Sequence, residues 1–316
     1  MSDTPSVDLP AWIEQFREYL RVVNRPMTTV RAYTVALRRF QAFAVDRRLT
    51  VDTAIAFAQD LSVAPSAKSN YLAAVSKFYR FLIGRGLVEI PNRDWEVFRE
   101  FRHELGKFGE RVPHPPSEEA IQTLLMRAHD HQPKRFQSID TQFRRELAHR
   151  RNLAMLEALR SSGMRVSELV SLNRDNLNPQ DHSARVIGKG RKERVVYFDE
   201  RAWQAIEEYL QLRADQGSPY GVAVFARHNV KFKHVARLST RSVERLFDRL
   251  IPDLKVQMRF TPHSLRHAFA TRALEVTGNL AIVQDLMGHK SPLTTRIYAK
   301  VSNKQLYEAH RKIFGG

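Results

Sequence analysis

Cysteine is absent from this 316-residue chain. That excludes disulfides, thiolate catalysis and cysteine-ligated zinc. Long apolar runs are absent too: no stretch approaches the roughly 18 to 20 residues that a membrane-spanning helix needs. The opening MSDTPSVDLP is polar. It lacks the basic and then apolar segments of a signal peptide. These absences give the expectation of a soluble, cytoplasmic protein with no membrane partner. Acidic residues are scarce relative to basic ones, with 34 Asp plus Glu against 51 Lys plus Arg and a formal charge of +17. A surplus that large repels itself and rarely serves folding; it is kept for a polyanionic partner. Nucleic acid is the first candidate and an acidic membrane surface the weaker second. Internal repeats and low-complexity tracts are also missing.

What is present is enough for real cores, since 43% of residues are hydrophobic. The length suggests two domains. Residues 1–105 read as a helical domain. Trp12, Phe16, Leu20 and Val23 recur at helical spacing, as do Val30, Tyr33, Leu37 and Phe40, with Thr28 or Thr29 as the cap of that second helix. A third segment spans about 51–61, and a fourth carries Leu72, Val75, Tyr79 and Leu82 before Gly84 and Gly86. Four such helices make a small bundle. Arg17, Arg21, Arg31, Arg38 and Arg39 occupy its polar positions, either as a solvated face or as one that meets DNA. Residues 106–116 mix Gly, Pro and charge without apolar periodicity, which is linker chemistry. Ser117 caps the next helix, with Glu118 and Glu119 in its first turn. Residues 117–316 form a second domain, again mostly helical. Its interruption, SARVIGKGRKERVVYF at 183–198, reads as a β-hairpin turning at the glycines around Lys189. Helices are expected at about 199–214, 240–251, 262–277, 279–287 and 302–313.

Several short stretches hold chemistry-bearing side chains. In SGMRVSELVSL, Arg165 follows a helix-breaking glycine, and Glu168 stands three residues on, on the same helix face. Taken alone, that is an ordinary surface ion pair. Lys189 lies between two glycines at a hairpin tip; it is either a solvated lysine or one that reaches a ligand in a groove. HSLRH opens a helix after Thr261 and Pro262, with His263 and Arg266 one turn apart. His263 and His267 have a metal-ligand spacing, but a zinc protease needs glutamate where this chain has Ser264, and no third ligand follows. No metal site is expected. Gly288-His289 follows a short apolar helix, and Tyr298 lies among basic and hydroxyl side chains. A tyrosine there is either a half-buried ring or a nucleophile. Two arginine forks match the non-bridging oxygens of a phosphodiester, and fixed cations stabilise a transition state that gains negative charge. A histidine can take the tyrosine proton, and a lysine can give one to the departing oxygen.

The ordered set RVSEL with Arg165, GKGRKER with Lys189, HSLRH with His263 and Arg266, GH with His289, and then Tyr298 resembles the tyrosine recombinases, or lambda-integrase family. The match covers nearly the whole chain, and the look is that of Xer-like or transposon-type simple recombinases without the extra arm-binding domain of many phage integrases. Residues 129–150 and the basic loop 227–241 are longer than in a typical Xer protein, and VVYF stands where a proline is often found. These departures lie outside the catalytic set.

The resemblance implies a mainly α fold with a small β-sheet in the catalytic domain, arranged as a two-domain C-shaped DNA clamp with a helical, SAM-like core-binding bundle. It implies site-specific recombination through a 3′-phosphotyrosyl intermediate and a Holliday junction, with no cofactor, ATP or metal. Tyr298 would be the nucleophile. Arg165 and Arg266 would clamp the phosphate, His289 would donate to it, His263 would assist deprotonation and Lys189 would be the general acid. Glu168 would hold Arg165 or its neighbours in place. Arg191, Lys192 and Arg241 are further candidates for DNA contact. The partners implied are double-stranded DNA with inverted-repeat half-sites, further copies of this chain in a tetramer joined through the C-terminal helix, and optionally a second recombinase. A type IB topoisomerase-like enzyme uses similar residues as a monomer. A catalytically silent DNA-binding regulator is the reading from another class.

Overall fold

A computed structural model of the chain describes residues 8–107, 115–130, 138–188, 193–213, 222–228, 237–251 and 260–288. Two compact units are found, Met1–Arg111 and Val112–Gly316.

The first unit is built from α1 (Leu9–Val22), α2 (Met27–Phe43), α3 (Val51–Asp60), α4 (Pro65–Ile83) and α5 (Asn92–Lys107). Each helix carries one apolar stripe, and burying those stripes together makes the core. α4 packs against each of the other four helices. Its Leu72, Val75, Phe78, Tyr79 and Leu82 are fully buried. Aromatic rings meet edge to face at the centre: Phe16 with Phe78 at 5.5 Å between ring centroids, and Phe40 with Phe57 at 5.2 Å. The buried Tyr79 hydroxyl donates to the Thr50 carbonyl at 2.9 Å, tying α4 to the start of α3.

Two details differ from the sequence expectation. The bundle has a fifth helix, α5, whose thin stripe of Trp95, Phe98, Phe101 and Leu105 packs on the same core. It runs to Lys107, so Gly106 and Lys107 are helical where a linker is expected. The cap expected at Thr28 or Thr29 is not formed. α2 starts at Met27, directly after Pro26, and has no side-chain cap. The proline's fixed φ sets the entry of the chain, which leaves both threonines inside the first turn.

In the second unit the spine is α7 (Ile139–Ser162), whose 24 residues span roughly 36 Å. It packs against α6 (Glu118–Asp130), α8 (Val166–Ser171), α9 (Glu200–Arg213), α11 (Pro262–Thr277) and β3 (Glu193–Tyr197). The Ser117 hydroxyl accepts from Ala120 N at 3.2 Å, as its place before α6 predicts. β3 pairs antiparallel with β2 (Ser183–Ile187), and β2 pairs with the two-residue β1 (Leu177–Asn178), giving the order β1-β2-β3. β1 is too short to show a period in the sequence. α10 (Thr240–Leu250) buries Val243, Leu246, Phe247 and Leu250 in the shared core. α12 (Leu280–Met287) packs on α11 through Val283 and Met287. Among the described residues no helix is long and apolar enough to cross a membrane, and no group of three or more histidines or carboxylates is placed to hold a metal.

Replacing Tyr79 by Phe keeps the ring packing and removes the bond to the Thr50 carbonyl. A loss of about 1 kcal/mol is expected in urea denaturation. An unchanged midpoint would show that the bond contributes nothing net.

Candidate active site

Gly163 ends α7 in the left-handed conformation, at φ 59°. A Cβ there would lie 2.3 Å from a ring carbon of Phe269, so both the backbone and the space require glycine. The chain turns sharply at this point and presents Arg165 as the residue that precedes α8. Glu168, one turn into α8, is 2% exposed. One of its oxygens, Oε2, accepts the Arg165 backbone N–H at 2.7 Å, and Oε1 accepts Arg165 Nη1 at 2.8 Å. This is a buried ion pair rather than the surface one that the spacing alone suggests.

Oε2 of Glu168 also accepts Nη2 of Arg194 at 2.8 Å. Arg194 lies on β3, whose inward positions are Arg194 and Val196. Its other nitrogen, Nη1, donates to the Leu286 carbonyl at 3.1 Å. Burial lowers the Arg194 pKa and Arg165 lowers it further, while Glu168 opposes both. Arg194 is absent from the set of residues read from the sequence. Alternation on the strand turns it inward, and an arginine facing a core is a signal in itself.

α11 begins with Thr261 as its cap and Pro262 in its first turn. Arg266 is 2% exposed. Its Nη1 donates to the Gly163 carbonyl at 2.6 Å, and its Nη2 donates to the Met287 carbonyl. Arg165 Nη2 donates to the next carbonyl, Gly288 O, at 3.4 Å. The carboxyl end of α12 thus receives three guanidinium groups on consecutive carbonyls. These carbonyls have no partner within the helix, and they form the negative end of its dipole. Arginine is well matched to them. Gly288 closes the helix in the left-handed conformation, and a Cβ there would lie 2.5 Å from Arg194 Cδ.

His263 is exposed in the first turn of α11, and its ring meets that of His267 edge to face at 4.5 Å. Desolvation lowers the His263 pKa, and so do Arg266 and then Arg165, which keeps the imidazole neutral near pH 7. His267 is buried, and desolvation, His263 and Arg266 together lower its pKa to about 4.

Arg165, Glu168, His263 and Arg266 are therefore brought together, and Arg194 joins them. Arg241 lies exposed in the first turn of α10 and makes no hydrogen bond or ion pair with this group among the described residues. Lys189, Arg191, Lys192, His289 and Tyr298 lie outside the described residues. So does the expected helix at 302–313. What the described part offers is a cluster of three guanidinium groups, Arg165 the most exposed of them, beside a neutral imidazole, with the buried Glu168 as its carboxylate. That arrangement suits a phosphodiester whose charge grows during reaction.

Residues 126–305 match the model of the phage integrase family, and residues 13–86 match that of the phage integrase N-terminal SAM-like domain. With that fold and those matches, the chain belongs to the phage integrase family. The tyrosine recombinase XerC of Pediococcus pentosaceus is 31% identical over 96% of this chain and 97% of its own length. XerC of Pelobacter propionicus is 32% identical over 95% of this chain and 94% of its own. This chain is accordingly a tyrosine recombinase, an enzyme of site-specific recombination. The same fold is found in the XerH site-specific recombinase bound to difH substrate in a pre-cleavage complex, with a TM-score of 0.69 at 19% identity over 96% of this chain and 84% of that one. It is also found in the Tn1549 transposon integrase in complex with transposon right end DNA, with a TM-score of 0.69 at 15% identity over 96% of this chain and 99% of that one.

The buried neutral His267 makes a pH prediction. A histidine whose pKa is lowered in the fold binds fewer protons there than in the unfolded chain. Its contribution is complete above the unfolded pKa near 6.5 and is lost as pH falls towards 4. At pH 5 the wild type should lose roughly 1–2 kcal/mol more than His267→Gln, each measured against its own stability at pH 7.5. Equal losses in urea titrations of the two proteins would refute the assignment.

Proposed function

We propose that this recombinase cleaves and rejoins double-stranded DNA through a 3′-phosphotyrosyl bond to Tyr298. Residues 1–107, to the end of α5, serve as the core-binding domain, the residues up to 116 as the linker and 117–316 as the catalytic domain. The observation that carries the reading is the convergence of Arg165 and Arg266 on the last carbonyls of α12, beside a neutral His263. Each guanidinium is a planar fork of five N–H donors, a geometry that matches the oxygens of a phosphate.

In this scheme the Tyr298 hydroxyl attacks the scissile phosphorus as His263 assists removal of its proton. Arg165 and Arg266 take the non-bridging oxygens, whose charge rises as the fifth bond forms. His289, the residue after Gly288, donates to one of them. Lys189 protonates the departing 5′-oxygen. The new phosphotyrosyl ester conserves the energy of the broken phosphodiester, so no ATP is consumed and no cofactor or metal is required. Attack by the 5′-hydroxyl of a partner strand reverses the step and gives a Holliday junction, which a second pair of exchanges resolves. Inverted half-sites, each bound by one protomer, call for a tetramer on DNA, with the C-terminal helix docked on a neighbour and a second recombinase as an optional partner. Arg191, Lys192 and Arg241 contact DNA outside the reacting phosphate. The charge of +17 supports a long contact with the backbone.

Tyr298→Phe should bind DNA with unchanged affinity and form no covalent adduct on a nicked suicide substrate resolved on denaturing gels. Adduct from this variant would remove Tyr298 as nucleophile.

Lys189 can be isolated by leaving-group chemistry. A thiolate departs without a proton, whereas an alkoxide near pH 7 needs one. Lys189→Ala should cleave ordinary DNA about 10²- to 10⁴-fold more slowly. It should cleave DNA with sulfur at the 5′-bridging position nearly as fast as wild type. Equal slowing on both substrates would assign Lys189 to phosphate binding instead. Rescue confined to Lys192→Ala would move the acid to Lys192.

A further inference from the structure

Arg194 belongs to none of the roles assigned above, yet it touches two parts of the site. Its Nη2 shares the Oε2 oxygen of Glu168 with the Arg165 backbone N–H, and its Nη1 holds the Leu286 carbonyl. The side chain is itself largely buried, at 10% exposure. Burying a cation costs free energy, and burial lowers its pKa. The helix end favours a cation, but water or a neutral amide would also satisfy its carbonyls, so it does not by itself account for a charge buried this deeply.

The charges supply it. Glu168 is buried and ionised between two guanidinium groups, Arg165 and Arg194. The three together carry +1. Without Arg194 the pair of Glu168 and Arg165 would carry none, and the whole field of the carboxylate would fall on the guanidinium that is meant for the phosphate. In a partly desolvated site such a carboxylate opposes the build-up of negative charge a few ångströms away.

We propose that Arg194 is a positioning residue that neutralises Glu168 and so keeps the charge of Arg165 available to the scissile phosphate. The inference rests on the reading of Arg165 as a phosphate clamp. Glu168 is then free to act as a geometric anchor at no electrostatic penalty to the reaction. The same side chain also holds the end of α12 through the Leu286 carbonyl.

The role predicts a pattern that fold maintenance does not. Arg194→Gln keeps amide donors for the Leu286 carbonyl but removes the charge. Its rate constant for adduct formation at saturating protein should fall about 10- to 100-fold. Arg194→Lys restores the charge and should stay within about threefold of wild type. The double variant Glu168→Gln with Arg194→Gln restores the sum of +1 through Arg165 alone. It should recover about tenfold over Arg194→Gln. Rates are measured on a nicked suicide duplex, at a temperature where circular dichroism shows every variant folded, and DNA affinity is measured in parallel. Unchanged affinity with the expected order of rates supports the proposal. An Arg194→Gln enzyme as fast as wild type overturns it. So does a double variant no faster than Arg194→Gln, because Arg194 would then serve only the helix end. Wild type and Tyr298→Phe run beside them as controls. Failure of wild type to form adduct that depends on Tyr298 would count against the phosphotyrosyl reading rather than against Arg194.

Discussion

One buried carboxylate organises the catalytic unit. Glu168 sits at 2% exposure with two guanidiniums and one backbone N–H on its two oxygens. An ionised carboxylate in that setting is tolerable only when every oxygen is paired. The pairing in turn dictates where α8, β3 and the turn after α7 must lie, since Arg165 comes from the turn and Arg194 from the strand. The polar centre trades some stability for a single arrangement of these elements. The large apolar core beneath it, from Leu124 through Leu159 and Trp203 to Phe260, supplies the free energy that such a centre does not.

From that carboxylate the order propagates to α12. Its end is held by side chains from three separate elements: β3, the turn before α8, and α11. A helix of eight residues contributes little stability of its own. Packing through Val283 and Met287 and the three cations at its carboxyl end give it a fixed place. The glycine at 288 belongs to the same device, because any side chain there would push on Arg194.

Much of this was legible in the sequence. Helix limits at 240, 262 and 277 follow from caps and glycines, which are local signals. The hairpin strands follow from alternation. Arg165, Glu168, His263 and Arg266 could be named because their spacing and neighbours are local too. The sequence could not tell a buried ion pair from a solvated one, because Glu168 lies under elements such as α10 and takes its second guanidinium from β3, all of which arrive from far along the chain. Arg194 was missed for the same reason: its partners, Glu168 and Leu286, lie in other elements. α5 was overlooked because its stripe of four apolar residues is thin within a strongly charged segment. The domain arrangement and the catalytic roles of Lys189, His289 and Tyr298 rest on resemblance, not on the geometry described.

The pairing of β2 with β3 bears on how such a chain can diverge. The register sets Ile187 opposite Glu193 and Val186 opposite Arg194. Alternation then turns Arg194 and Val196 inward and leaves Val195 and Tyr197 exposed. Inserting or deleting one residue of β3 ahead of Arg194 would exchange those faces, turning Arg194 to solvent and setting an aliphatic side chain against Glu168. The five residues between the paired ends, 188–192, are under no such rule. A change in length is thus tolerated in that connection without disturbing the charge balance below. Descendants of this chain can lengthen or shorten it while inheriting the strands unaltered.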